Sequence, residues 1–152
     1  MITSDAALQA VLRIAIAHAI DDVFTWAENK LIQSIHQAGA AVHGGGLDVA
    51  WVKEVHGMFG QLRYDPMRMA HDITRGIHAS PYDNSYSKDN GAWDDVRDIF
   101  IEIIQGGYRA WNAHTGRPIA PRPFWDKFIG DFENQFPRKF RAALRKQGLV
   151  VL

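Results

Sequence analysis

The chain predicts an α+β domain built from a long N-terminal helix, a small antiparallel β region and two C-terminal helical segments. Three observations carry that prediction. Apolar residues from Leu8 to Ile35 step by three and four along one stripe, the period of a helix. Between Val49 and Tyr64 apolar and polar residues interleave in short runs closed by Asp65-Pro66, which is how strands read. From Ala92 onward helical spacing returns twice, interrupted by Gly106-Gly107 and a proline-rich stretch, the usual punctuation between helices.

The first helix runs from Asp5 to about Gln37. Its stripe is Leu8, Val11, Leu12, Ala15, Ile16, Ala19, Ile20, Val23, Ala27, Leu31 and Ile35. Ser4 can cap its N-terminus, Asp5 suits the positive end of the helix dipole, and Gly39 suits the stop. Such a helix would reach roughly 45–50 Å at ~1.5 Å per residue. A single compact domain does not need that reach, so its outer half is expected to project or to pack on another subunit.

Gly44-Gly45-Gly46 reads as a loop. A glycine run that cradles phosphate needs Lys or Ser/Thr in register after it, and here Leu47-Asp48 follows. Val49, Trp51 and Val55 suggest one strand and Met58 to Tyr64 a second, with Asp65-Pro66 turning the chain. His71 to Asn90 is rich in Ser, Asp, Asn and Tyr. It reads as a long surface loop, a class that is usually functional or ordered on assembly.

Ala92 to Gln105 is the next helix, with Trp93, Val96, Ile99, Phe100, Ile103 and Ile104 on its buried side and Gly106-Gly107 at its end. A loop from Gln105 to Pro121, containing Thr115-Gly116 and Pro118, leads to the last helical region, with Pro123 in its first turn. There Phe124, Phe128, Phe132, Phe136 and Phe140 recur every four residues as one aromatic ridge. Pro137 is expected to kink or restart the helix. Gly148 ends it, and Leu149 to Leu152 reads as a short terminal strand.

Composition sets the outer bounds. A chain of 152 residues reads as one domain, 1–152, that buries roughly two thirds of its unfolded surface. Apolar content of 47% and charged content of 22% are those of a folded protein rather than a disordered one. The formal net charge is zero, which argues against a generic polyanion binder and lowers self-repulsion between copies. There is no cysteine, so disulfides, thiolate metal sites and cysteine nucleophiles are excluded. Met1 to Asp5 lacks a basic n-region, and no run approaches the ~20 apolar residues of a membrane span. The expectation is a soluble protein made in a cytoplasm, with no membrane partner.

No catalytic, cofactor-binding or metal-ligating residue emerges. His71-Asp72 invites comparison with metal-dependent phosphohydrolases, but their chemistry needs further His and Asp ligands in fixed register. His78 and Asp83 lie nearby without helical spacing. Asp94, Asp95, Asp98 and Glu102 fit an acid-rich helix start better than an acid–base pair. His18, His36, His43, His56, His71, His78 and His114 are scattered, and His18 reads as packed or solvated. Ser80 and Ser85 have no nucleophile-elbow context.

Charge is unevenly distributed. Residues 115–152 hold eight basic residues (Arg117, Arg122, Lys127, Arg138, Lys139, Arg141, Arg145 and Lys146) against the acids Asp126, Asp131 and Glu133. The remainder is acid-rich by the same margin. Opposed ends favour head-to-tail or ring association, and a basic face suits a DNA passage. Cations that complement a helix C-terminus account for the same pattern.

Tyr64-Asp65-Pro66, Gly76-Ile77-His78, Asp95-Val96-Arg97-Asp98, Ile103-Ile104, Gly106-Gly107 and Pro121-Arg122-Pro123-Phe124-Trp125 occur in an order that resembles a set of tailed-phage and prophage structural proteins. That set is similar in turn to the tail-completion, or head–tail joining, family of the phage neck. The resemblance covers about residues 60–150. One departure is plain: the family's Asp-Thr-Gly-x-Leu start to its hairpin is replaced by Gly44-Gly45-Gly46-Leu47. The resemblance implies an α+β, non-enzymatic virion protein without metal or cofactor, assembled in the host bacterial cytoplasm. It implies a homo-oligomeric ring at the head–tail junction, joining the capsid portal complex to the tail. Its partners would be neighbouring neck and tail proteins, with non-specific contact to packaged DNA. The alternatives from other classes are a small metal-dependent phosphohydrolase or nuclease and a DNA-binding accessory protein.

Overall fold

A computed structural model describes residues 4–40, 46–69, 100–111 and 118–151. Helix α1 spans Asp5–Gln37. Ser4 caps it, its Oγ accepting from the Ala7 N–H at 3.2 Å. At the other end Gly39 takes φ +67°. The Ala40 and Gly39 N–H groups close back on the Ile35 and His36 carbonyls at 2.9 and 3.0 Å. This is the Schellman closure, and it satisfies carbonyls that the helix leaves open.

A 3-10 turn, Leu47–Val49, leads into β1 (Trp51–His56), which pairs antiparallel with β2 (Phe59–Tyr64) in the register Trp51↔Tyr64 to His56↔Phe59. Gly57 turns the hairpin at φ +58°. A second 3-10 turn, Pro66–Arg68, follows, and Asp65 Oδ1 accepts from the Met67 N–H at 3.2 Å. Helix α2 (Phe100–Gly106) and strands β3 (Tyr108–Trp111) and β4 (Pro118–Ile119) come next, then helix α3 (Phe124–Lys146).

The architecture matches the expectation of a long helix, a small antiparallel sheet and C-terminal helical segments. Four details differ. Tyr108–Trp111 and Pro118–Ile119 form a second two-stranded antiparallel ladder where a loop from Gln105 to Pro121 was expected. The alternation Tyr108-Arg109-Ala110-Trp111 is strand-like, but its partner is too short to register as a period. Pro123 occupies the capping position just before α3 rather than its first turn. Helix α3 runs through Pro137 as one element and does not restart. Finally, residues 149–151 form no strand. The Leu149 N–H bonds to the Leu144 carbonyl at 3.2 Å as part of the helix closure at Gly148, so it is not offered to a sheet. The expected loops at Gly44-Gly45 and His71–Asn90, and the expected helix start at Ala92, lie outside the described residues.

The core follows from two ridges that share a four-residue step. On α1 the ridge is small (Ala15, Ala19, Val23, Ala27) before it grows to Leu31 and Ile35, and all six are buried. On α3 it is aromatic throughout. Small residues on one helix let the rings of the other close in, which is ridge-into-groove packing with unequal ridges. Leu31, Ile35, Leu47, Ala50, Trp51, Ile104, Phe124 and Phe128 make the wide end of this core. Ala19, Val23 and Ala143 make the narrow end, with Phe136 and Phe140 packed on them. Each large apolar side chain buried there contributes roughly 1.5–3 kcal/mol.

Candidate assembly surface

Two of the sequence segments singled out above meet at one aromatic stack. The rings of Trp51 and Trp125 stack at 5.3 Å, and Tyr64 tilts against Trp51 at 5.4 Å. Tyr64-Asp65-Pro66 and Pro121-Arg122-Pro123-Phe124-Trp125 therefore share Trp51 as their hinge point. The Asp65 N–H donates to the Ala50 carbonyl at 2.7 Å, and the Arg122 N–H to the Ile104 carbonyl at 2.7 Å. The Arg122 guanidinium donates to the Gly39 carbonyl. Phe124 is fully buried. Gln105 Oε1 accepts from the Trp125 N–H at 3.0 Å, capping a helix that has no side-chain cap of its own. These residues tie α1, the hairpin, α2 and α3 together. The role of Gln105 was not legible in the sequence, because its partner lies across a break in the helix pattern.

The basic residues of α3 divide by type. The lysines turn onto α1: Lys146 reaches Asp22 at 2.8 Å, Lys30 of α1 meets Asp131 at 3.3 Å, and Lys127 donates to Gln37 at 2.6 Å. Lys139 lies 5.5 Å from the Trp26 ring centre, a cation–π distance. Exposed pairs of this kind stabilise by at most about 1 kcal/mol each, but together they set the antiparallel register. The arginines turn away. Arg138, Arg141 and Arg145 are exposed and spaced by three and four, so they share one face. Among the described residues Arg138 and Arg141 have no ionic or hydrogen-bonding partner, and Arg145 reaches only the Val151 carbonyl, at 3.4 Å.

Among the described residues, two open apolar surfaces are built from more than one side chain. Lys146, the last residue of α3, pairs with Asp22, so the turns of α1 before Ala15 extend past that helix. There Leu8, Val11 and Ile14 are 43%, 48% and 60% exposed. The second place is a groove of about 250 Å³ lined by Ile20, Phe24, Met58, Phe59, Phe136 and Phe140 among others. On its floor Phe24 packs close against Gly60: a Cβ there would fall 2.5 Å from Phe24 Cδ2. Three elements supply these residues, so no single periodic pattern announces the groove.

The titratable candidates stay apart. Among the described residues no group of three or more His, Asp or Glu side chains is placed to hold a metal. Glu102 is exposed on α2, and His18 and His56 are exposed. His36 Nε2 lies 3.6 Å from Asp48 Oδ2. His71, Asp72, His78, Ser80, Asp83, Ser85, Asp94, Asp95 and Asp98 lie outside the described residues. Among the described residues the one carboxyl clearly perturbed is Glu54, held below its ordinary range by hydrogen bonds from Arg63 and Gln61 and by the Arg63 charge. It is a cross-strand surface pair rather than a site. No described helix is long and apolar enough to cross a membrane.

Searches against protein-family models, curated proteins and solved structures find no match for this chain.

Proposed function

We propose that the chain is a non-enzymatic structural protein of a tailed-phage or prophage virion, assembling as a symmetric homo-oligomer at the head–tail junction. In this reading it joins the capsid portal complex to the tail and contacts neighbouring neck and tail proteins. The observation that carries the assembly half of the reading is the outer part of α1, which leaves Leu8, Val11 and Ile14 uncovered. A contiguous apolar face of this kind marks an interaction surface. The phage half rests on the sequence resemblance, whose Tyr64–Pro66 and Pro121–Trp125 segments serve here as framework and hold no reacting group. The outward arginines Arg138, Arg141 and Arg145 suit non-specific contact with the backbone of packaged DNA.

The test is the mass of the purified protein by light scattering over a range of concentrations, with negative-stain images of the same fractions. A climb towards closed rings is expected. A mass that stays at the 17.1 kDa of one chain at every concentration would overturn the ring.

A further inference from the structure

We infer that copies of this chain join head to tail, the stripe Leu8–Val11–Ile14 of one copy seating in the groove of Ile20, Phe24, Met58, Phe59, Phe136 and Phe140 on the next. The inference rests on the homo-oligomer proposed above and names the two surfaces that would build it.

Four observations carry it. First, both surfaces are apolar, and one is convex while the other is concave. The groove's 250 Å³ exceeds the ~150 Å³ cavity that takes up a benzene-sized guest, so it has room for aliphatic side chains presented by a helix. Second, the surfaces face different ways. At about 100° per residue, Val11 at the centre of the stripe lies about 140–180° around α1 from Ile20 and Phe24. A patch whose complement lies elsewhere on the same molecule gives heterologous contacts that close into rings or run into filaments.

Third, Val11 of the stripe continues a ridge that is packed inside the subunit. The buried ridge Ala15, Ala19, Val23 and Ala27 extends one turn outward to Val11, where α3 has ended and nothing among the described residues replaces it. Fourth, the charges match. From Ser4 to Leu12 the only charged side chain is Asp5, at the tip of the stripe. On the groove side, Arg13 lies on the same side of α1 as Ile20. It is exposed and has no partner among the described residues. An incoming Asp5 would meet a cation.

The experiment uses two variants of the full chain, each disabled on one surface: Val11→Glu/Ile14→Glu, and Phe59→Glu. All three positions are about half or more exposed, so far-ultraviolet circular dichroism should match the parent. Alone, each variant should be a monomer, its self-association weakened about a hundredfold or more. Mixed in equal amounts, they should form a one-to-one pair of twice the 17.1-kDa chain mass that grows no further. Each variant retains the surface that the other lacks. Self-association of Phe59→Glu alone at parental strength, or no pairing in the mixture, overturns the inference. If a variant loses its fold, Leu8→Gln and Met58→Gln repeat the test at equally open positions with a gentler change.

The outcomes also separate this inference from the reading beneath it. Parental rings that both variants still form would remove the docking mode and leave the ring. Paired variants with a parent that grows into open filaments would support the docking mode and remove the ring.

Discussion

The Arg122 guanidinium donates to the Gly39 carbonyl across 83 residues of chain, pinning the start of α3 to the end of α1. Gly39 is the residue that closes α1 at φ +67°, so its carbonyl direction is set by the helix closure. Arg122 is thus positioned by the first helix of the chain and, through its own N–H to Ile104, by α2 as well. Arg122→Ala should lower unfolding free energy by about 1.5–3 kcal/mol, the range for a hydrogen bond with a charged partner. Urea unfolding read by tryptophan fluorescence measures this, and an unchanged midpoint would mean the contact contributes nothing.

Phe24 occupies the space over Gly60 so closely that no Cβ fits. Gly60→Ala should cost about 1–3 kcal/mol through overpacking. In the background of Phe24→Leu the same change should cost less, because the smaller side chain can withdraw. A double-mutant cycle with no coupling between the two sites would contradict the packing described.

Pro137 sits within α3 on its exposed side, where it removes one helix hydrogen bond. Pro137→Ala should raise stability by about 1 kcal/mol or more, since proline is the poorest residue for a helix interior. A loss of stability would instead show that the aromatic ridge depends on proline at this position.

Glu54 carries the pH dependence most open to test. Its carboxyl is held low by hydrogen bonds from Arg63 and Gln61, so the folded protein binds that proton less readily than the unfolded chain does. The stabilising contribution is present above the ordinary carboxylate range, about pH 4.3, and disappears as pH falls through the lower folded value. Glu54→Gln should therefore flatten part of the stability loss on acidification while leaving the neutral-pH fold intact. An identical acid profile in thermal melts at stepped pH would count against the pairing.

Arg138, Arg141 and Arg145 should contribute to any binding of duplex DNA through phosphates alone. Replacing all three by Ala should weaken binding equally across sequences. It should also lower the slope of log affinity against log salt by roughly 0.9 for each phosphate no longer neutralised. An unchanged salt slope would remove DNA binding from this face.

What the sequence showed of this fold was what local chemistry decides. Ser4, Asp5 and Gly39 bracket α1 because caps act within a few residues, and both ends of the helix fall where those residues stand. The hairpin Trp51–Tyr64 was legible from its alternation and from the turn that follows it. The β3–β4 ladder was missed because Pro118–Ile119 is too short to carry a pattern. Leu149 to Val151 looked like a strand because it is apolar, yet its first N–H is already committed to Leu144. The lysine–arginine division of α3 and the groove over Gly60 depend on which elements meet, and spacing along the chain does not encode that. The same holds for the uncovered stripe: Leu8 and Val11 share the periodicity of the buried part of α1, and the length of α3 decides where that burial stops.

The most direct measurement of the central proposal is electron microscopy of particles made by the parent phage or prophage with this gene deleted. The proposal expects DNA-filled heads and finished tails that fail to join, restored to whole virions when the gene is supplied in trans. Intact, infectious particles produced at normal yield without the gene would contradict it.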